Sequence, residues 1–330
     1  MNSTMAHYIS AIYQLLPGKP IYTETDISDL SERVYLVTGA NTGIGKEVAR
    51  ILYSKNAAVW VAARNEEKAV NAIASIKEAH PSSNGRLEYL HLDLSDLTTI
   101  KASAEAFLAK EKRLDVLFNN AGVMMPPKGS KTAQGYELQL GTNCIGPFLF
   151  TRLLTPMLIA TAKTAPKGSV RVIWVSSSAT EHLNPTGGID LDNLDYKRDT
   201  FYAWRYGISK AGNYYHATEY ARRHRDDSIV SVSLNPGNLK SELDRNCNYV
   251  EMLFRHATTY PTINGAYTEL FAGISDQVNM DNSGAWIVPW GRIENIRKDL
   301  LEGSKPKEEG GTGIAQKFWE WSEEQTRPYS

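Results

Sequence analysis

The stretch Val34-Tyr35-Leu36-Val37-Thr38-Gly39-Ala40-Asn41-Thr42-Gly43-Ile44-Gly45 joins a short apolar run of β-formers to three glycines. From Lys46 onward Val48, Ile51 and Leu52 recur at spacings of three and four, the period of one helix face. A glycine-rich turn between a strand and a helix lets backbone N–H groups approach a pyrophosphate at the positive helix end. Three residues separate Gly39 from Gly43, a spacing different from the usual GxGxxG. Such a cluster also serves as a plain tight turn; its position after the first predicted strand favours the phosphate-binding reading.

The same alternation continues in the C-terminal direction. Ala57–Ala63, Leu87–His91, Val116–Phe118, Val170–Val175, Ile229–Leu234 and Ala285–Val288 read as further strands. Helical spacing is found after Asn65 (Ala69, Ile73, Ile76) and over Thr99–Lys110, Tyr136–Leu158 and Arg205–Arg225. Continuous apolar strands alternating with helices predict an α/β fold, a single doubly wound Rossmann domain. Its mainly parallel sheet has seven strands, with helices on both faces. The domain is expected over 32–302, between an N-terminal leader (1–31) and a C-terminal tail (303–330). Gly303–Gly313 is rich in Gly, Lys and Glu and reads as mobile surface. Phe318, Trp319 and Trp321 either dock the chain end or serve contacts between subunits.

Composition narrows the function. Lys and Arg total 36 against 37 Asp and Glu, a net charge of -1, so no global field favours nucleic acid or an anionic membrane. The two cysteines, Cys144 and Cys247, are far apart and lack metal-ligand spacing, which argues for no metal site, no disulfide and a reducing, cytoplasmic setting. No apolar run reaches the roughly 20 residues needed to span a bilayer, so no stable membrane insertion is expected. In the leader, Tyr8–Leu16 is interrupted by Ser10 and Gln14 and reads as a short amphipathic helix on the protein's own surface.

Two local patterns carry chemistry. The second strand ends at Ala63-Arg64-Asn65, where an NAD site usually places an acidic residue for the ribose 2′-hydroxyl. A guanidinium pairs with a 2′-phosphate, so Arg64 favours NADP(H); otherwise it is a solvated arginine after a strand. Tyr206 and Lys210 are four apart on a predicted helix and share a face. A free phenol, with a pKa of about 10, is a poor acid or base near neutrality, and a nearby ammonium stabilises its phenolate. Alone, this spacing is usually just a helix surface.

In combination, Thr38–Gly45, Asp93, Asn119–Gly122, Asn143, Ser177, Tyr206 with Lys210, and Pro236-Gly237 resemble the short-chain dehydrogenase/reductase superfamily from about Val34 to Val288. The likeness is greatest to retinol-dehydrogenase-like enzymes and fungal short-chain reductases. It implies a catalytic tetrad. Tyr206 is the general acid in reduction and base in oxidation, and Lys210 lowers its pKa and holds the nicotinamide ribose. Ser177 hydrogen-bonds the substrate oxygen, and Asn143 holds a relay water. It further implies cofactor contacts from Gly39, Asn41, Thr42, Gly43, Ile44, Gly45, Arg64, Asp93, Leu94, Asn120, Ala121 and Gly122. On the nicotinamide side it adds Tyr206, Lys210, Pro236, Gly237, Leu239 and Ser241. Ser176 and Ser178 remain alternatives to Ser177, Asn143 to a backbone-satisfied amide, and Ser241 to a helix N-cap. His182 and His216 are read as exposed or structural.

The expected activity is NADP(H)-dependent reduction of a ketone or aldehyde, or oxidation of the matching alcohol. A non-redox NADP-binding regulator or scaffold, or a short-chain epimerase or dehydratase, is the alternative. The insert Ala179–Trp204 leads from Ser177 to Tyr206. Its Leu183, Tyr196, Phe201, Tyr202 and Trp204 are expected either to line a pocket for a small hydrophobic carbonyl or alcohol or to pack the insert itself. Asn248–Tyr260, with Met252, Leu253 and Phe254, reads as a lid. The resemblance also implies a homodimer or homotetramer built on the two long helices.

Overall fold

The computed structural model of the chain describes residues 13–198, 200–240 and 259–330; Ser241 and the expected lid up to residue 258 lie outside the described residues. In chain order the elements are β1 (Val34–Thr38), α1 (Gly43–Ser54), β2 (Ala58–Ala63), α2 (Glu66–Ala79), β3 (Arg86–His91), α3 (Leu97–Lys110) and β4 (Val116–Asn119). Then come α4 (Leu138–Ala162), β5 (Val170–Val175), α5 (Tyr202–Arg223), β6 (Ile229–Leu234) and α6 (Thr262–Ile274). β7 (Trp286–Val288), β8 (Arg292–Glu294), α7 (Lys298–Ser304) and α8 (Ile314–Thr326) complete the chain.

All strands join one sheet in the order β3-β2-β1-β4-β5-β6-β7-β8. Every neighbouring pair is parallel except β7 with β8. The expected sheet had seven strands; the eighth, Arg292–Glu294, folds back on β7. It escapes sequence reading because only three residues pair and Ile293 is partly exposed, leaving no apolar run. The order reverses between β1 and β4, and the C-terminal ends of those strands form the crevice where open α/β sheets bind ligands.

Two apolar cores sandwich the sheet. One side buries Val48, Ile51 and Leu52 of α1 and Leu270 and Phe271 of α6. The other buries Phe107 of α3, Phe148 and Leu154 of α4, Tyr214 and Tyr220 of α5, and Phe318 of α8. β1, β5 and β6 are buried at every position, as strands covered on both faces must be. Helix α4 is long and apolar enough to cross a membrane, yet 61% of that stretch is buried inside the protein. Its packing is that of a core helix.

The C-terminal residues pack onto α5. The Phe318 ring stacks on His216 at 4.7 Å between centroids, and Trp319 meets Phe148 edge-on at 4.8 Å. Gly212 on α5 lies beneath this contact, for a Cβ there would stand 3.0 Å from the Phe318 ring. Of the two readings for these aromatics, docking of the chain's own end is the one observed. Because α8 occupies the surface of α4 and α5 around these rings, subunits pairing there would have to displace it. Phe318→Ala should lower stability by about 3–5 kcal/mol, read from urea denaturation, since it empties a fully buried ring site.

Candidate active site

The turn between β1 and α1 is fixed by close backbone approach. Gly39 and Gly43 have φ of 68° and 60°, the left-handed region that glycine enters without steric cost. A Cβ on Gly45 would lie 2.5 Å from Asn120 Nδ2 and 2.8 Å from the Gly39 carbonyl oxygen. At Gly43 a Cβ would meet nothing within 4 Å, because that position opens to the crevice. Thr38 ties the turn to the end of β4: its Oγ1 donates to the Phe118 carbonyl (3.1 Å) and accepts from the Ala121 N–H (2.9 Å). Asn120 Nδ2 donates to the Thr38 carbonyl at 2.6 Å.

Above these turns lies a cleft of about 560 Å³. Gly39, Asn41, Thr42, Gly43 and Ile44 line one wall, Arg64 the end of β2, and Asp93 and Leu94 the end of β3. Asn120, Ala121 and Gly122 form its floor. Gly45 supports the turn from behind rather than lining the cleft. Asp93 is held by Ser95, whose N–H and Oγ both donate to Asp93 Oδ1 (2.9 and 2.6 Å). Sequence reading missed Lys68, Ser95 and Thr142, which also face the cleft. Lys68 had a legible signal: Asn65 caps α2 by accepting the Lys68 N–H, so Lys68 sits in the first helical turn beside Arg64. No carboxylate from the end of β2 lines this cleft among the described residues.

A second pocket, of about 130 Å³, shares Ile44, Asn120, Gly122, Val123 and Met124 with the cleft and so continues it. Ser177, Tyr206, Lys210, Pro236, Gly237 and Leu239 converge here. Lys210 Nζ donates to the Val175 carbonyl at 2.9 Å and lies 5.8 Å from the centre of the Tyr206 ring. Burial pushes the Lys210 ammonium down to about 8, against a weaker opposing pull from Cys144 and Glu269. Glu269, buried on α6, is pushed well above the carboxylate range by the same desolvation, partly offset by Lys210. Gly122 admits Lys210, since a Cβ there would sit 3.2 Å from Nζ.

The three serines differ in their engagements. Ser176 is buried, donates to the Lys210 carbonyl (2.6 Å) and lies 2.6 Å from Thr180 Oγ1, so its hydroxyl is committed to structure. The Ser177 hydroxyl accepts the Ala179 N–H at 3.2 Å and borders the pocket; Ser178 borders it too. Asn143 sits in a π-helical turn, Gly141–Ile145, within α4. Its side chain accepts the Val123 N–H (2.8 Å) and donates to the Val123 carbonyl (3.0 Å) and Ser209 Oγ (2.9 Å). Ser209 in turn donates to the Tyr206 carbonyl (2.8 Å), so the amide braces the helix that presents Tyr206.

Of the two readings of the insert, pocket lining is not the one observed. None of Leu183, Tyr196, Phe201, Tyr202 and Trp204 lines the Tyr206 pocket. Tyr196, Phe201 and Trp204 instead border a separate cavity of about 320 Å³ with Ile208, while Leu183 is exposed. The one-turn helix Ala179–His182 that follows Ser177 packs on α5, and the insert beyond it borders that separate cavity. His216 is buried against Phe318, and burial alone drives its pKa down to about 3, so it stays neutral. His182 is exposed.

Comparison with known proteins agrees with this arrangement. Residues 33–189 match the short chain dehydrogenase family. A short-chain dehydrogenase/reductase of Phomopsis amygdali is 55% identical over 321 residues, 96% of each chain. One of Neocamarosporium betae is 47% identical over 96% of this chain and 92% of its own. Among solved structures, an uncharacterized protein of Mycobacterium paratuberculosis superposes with a TM-score of 0.67 at 25% identity, covering 93% of this chain and 97% of its own. An NADPH-bound carbonyl reductase from chicken fatty liver shares the fold (TM-score 0.60, 22% identity, 82% and 96% covered). The chain belongs to the short-chain dehydrogenase/reductase family, a class of NAD(P)-dependent oxidoreductases.

Gly45→Ala should disrupt the turn, because its new methyl meets backbone at Gly39. We expect destabilisation of about 1–3 kcal/mol, together with weakened binding of the nicotinamide dinucleotide, measured by thermal melting and by nucleotide fluorescence titration.

Proposed function

We propose that the protein is an NADP(H)-dependent carbonyl reductase acting on a ketone or aldehyde of a small hydrophobic molecule, or in reverse on the matching alcohol. The observation that carries this reading is the buried Lys210 ammonium beside Tyr206, in a pocket continuous with a nucleotide-sized cleft. The residues fit the cofactor: Gly43 opens its left-handed turn to the space a pyrophosphate needs. When bound, the nicotinamide supplies a hydride to the carbonyl carbon.

The protein's own groups handle the proton and the developing charge. Tyr206 donates its phenolic proton to the substrate oxygen in reduction and withdraws it in oxidation. Lys210, held against Val175, keeps positive charge next to that phenol and favours its ionised form once the proton has left. Ser177 is the serine of choice, because Ser176 is spent on Lys210 and Thr180; its hydroxyl donates to the substrate oxygen as negative charge builds there. The side chain of Asn143 is committed to Val123 and Ser209, so a relay water is assigned to the backbone of its π-turn. Arg64, with Lys68 beside it, is assigned to the 2′-phosphate. Ser241, outside the described residues, keeps its assigned role toward the carboxamide as part of this proposal. The cytoplasm is the assigned compartment, in keeping with the buried free thiol of Cys144.

Tyr206→Phe should reduce NADPH consumption on a panel of aryl ketones and diketones by on the order of 10²–10⁴-fold while NADPH still binds. Turnover that survives the change contradicts the acid–base role. Arg64→Asp should reverse the preference from NADPH toward NADH, read as the ratio of kcat/KM for the two cofactors. An unchanged ratio removes Arg64 from the phosphate site.

A further inference from the structure

We infer that Gln14, in the N-terminal leader, is a positioning residue that sets the nicotinamide-side wall of the Tyr206 pocket. Gln14 is buried, 6% exposed, although its neighbours Tyr13, Leu15 and Leu16 are all exposed. Its Nε2 donates to Glu181 Oε2 at 2.7 Å, and its Oε1 accepts from Asn235 Nδ2 at 2.9 Å. Both partners flank the site. Glu181 lies four residues beyond Ser177, on the one-turn helix Ala179–His182. Asn235 precedes Pro236 and Gly237, which line the pocket with Tyr206 and Lys210.

The hydrogen-bond directions form an ordered chain. Glu181 Oε1 receives the Arg297 N–H (3.1 Å) while Oε2 receives Gln14, so Glu181 acts as acceptor on both oxygens. That fixes Gln14 with its NH₂ toward Glu181 and its oxygen toward Asn235. Asn235 must then present its own NH₂ to Gln14 and its oxygen to the Gly237 N–H, a 3.0 Å bond that closes the turn. Gly237, at φ 94°, is pressed against Trp290, for a Cβ there would stand 2.6 Å from the indole. Trp290 is itself tied to the leader, its Nε1 donating to the Gly18 carbonyl at 3.1 Å. The leader thus holds the Asn235–Gly237 turn from two sides, and one amide decides which way that turn's hydrogen bonds run. Removing it takes a donor from Glu181 Oε2 and an acceptor from the buried Asn235 amide, and a displaced wall misaligns substrate with Tyr206.

The kinetic arm of the test rests on the carbonyl-reductase reading; the exchange arm does not. In the full-length protein with NADPH, Gln14→Leu should lower kcat for phenanthrenequinone on the order of tenfold or more, with NADPH affinity retained. Gln14→Glu sets two carboxylates face to face and should be at least as impaired. Adding Glu181→Gln restores complementarity, since residue 181 then donates to residue 14 and still accepts the Arg297 N–H, so the double variant should recover kcat. Independently of turnover, hydrogen–deuterium exchange in Gln14→Leu should quicken at 235–238 and 179–184 above the rest of the chain. The inference is overturned if the double variant is no better than Gln14→Leu, or if exchange quickens only in the leader or evenly throughout. If wild type reduces no carbonyl, the reductase reading fails and the exchange pattern alone decides the role of Gln14.

Discussion

A single buried charge organises this molecule. Lys210 lies inside the protein with its ammonium on the Val175 carbonyl, where β5 ends. Taking an ammonium out of water costs several kcal/mol even after relaxation, so the surrounding structure must compensate. It does so by bringing the ends of several elements to one point. β5 supplies the carbonyl, α5 carries both Lys210 and Tyr206, and the turn after β4 supplies a glycine that leaves room for Nζ. The desolvation that lowers the Lys210 pKa also brings its protonation into the range where an enzyme works.

Much of the fold was legible because its signals are local. Val170–Val175 and Ile229–Leu234 were read at their observed bounds, since short runs dominated by β-branched and other apolar residues admit few other structures. The glycine turn was legible for a similar reason: strand, glycines and helix adjoin in sequence, as their backbones adjoin in space. Tyr206 and Lys210 needed only helical spacing to be paired. The helix Thr262–Ile274 and strand β8 were not read, and residues 303–330 were set apart as a tail, although Phe318 and Trp319 belong to the core. The helix and the chain end are placed by contact with residues about a hundred or more positions away, and β8 by a three-residue pairing with β7; local periodicity carries neither.

The site was legible in its parts and less so in its walls. Ser176, Ser177 and Ser178 all line the pocket, and the bonds to Thr180 and Lys210 that commit the Ser176 hydroxyl to structure are invisible in a serine run. The aromatics of the 179–204 insert read equally as pocket lining or as packing of the insert itself, and Tyr196, Phe201 and Trp204 border a cavity of their own. Gln14 is the converse case. In sequence it merely interrupts an apolar stretch, whereas in the fold it joins residues 167 and 221 positions distant.

The most direct test of the account is the pH dependence of kcat for carbonyl reduction at saturating NADPH. With burial holding the Lys210 ammonium at about 8, its charge is full below that pH and is lost as pH rises through it. The rate should therefore fall steadily above about pH 8 while the protein remains folded by circular dichroism. A rate that stays level, or climbs, up to pH 10 would mean that the Lys210 charge does not support the chemistry at Tyr206.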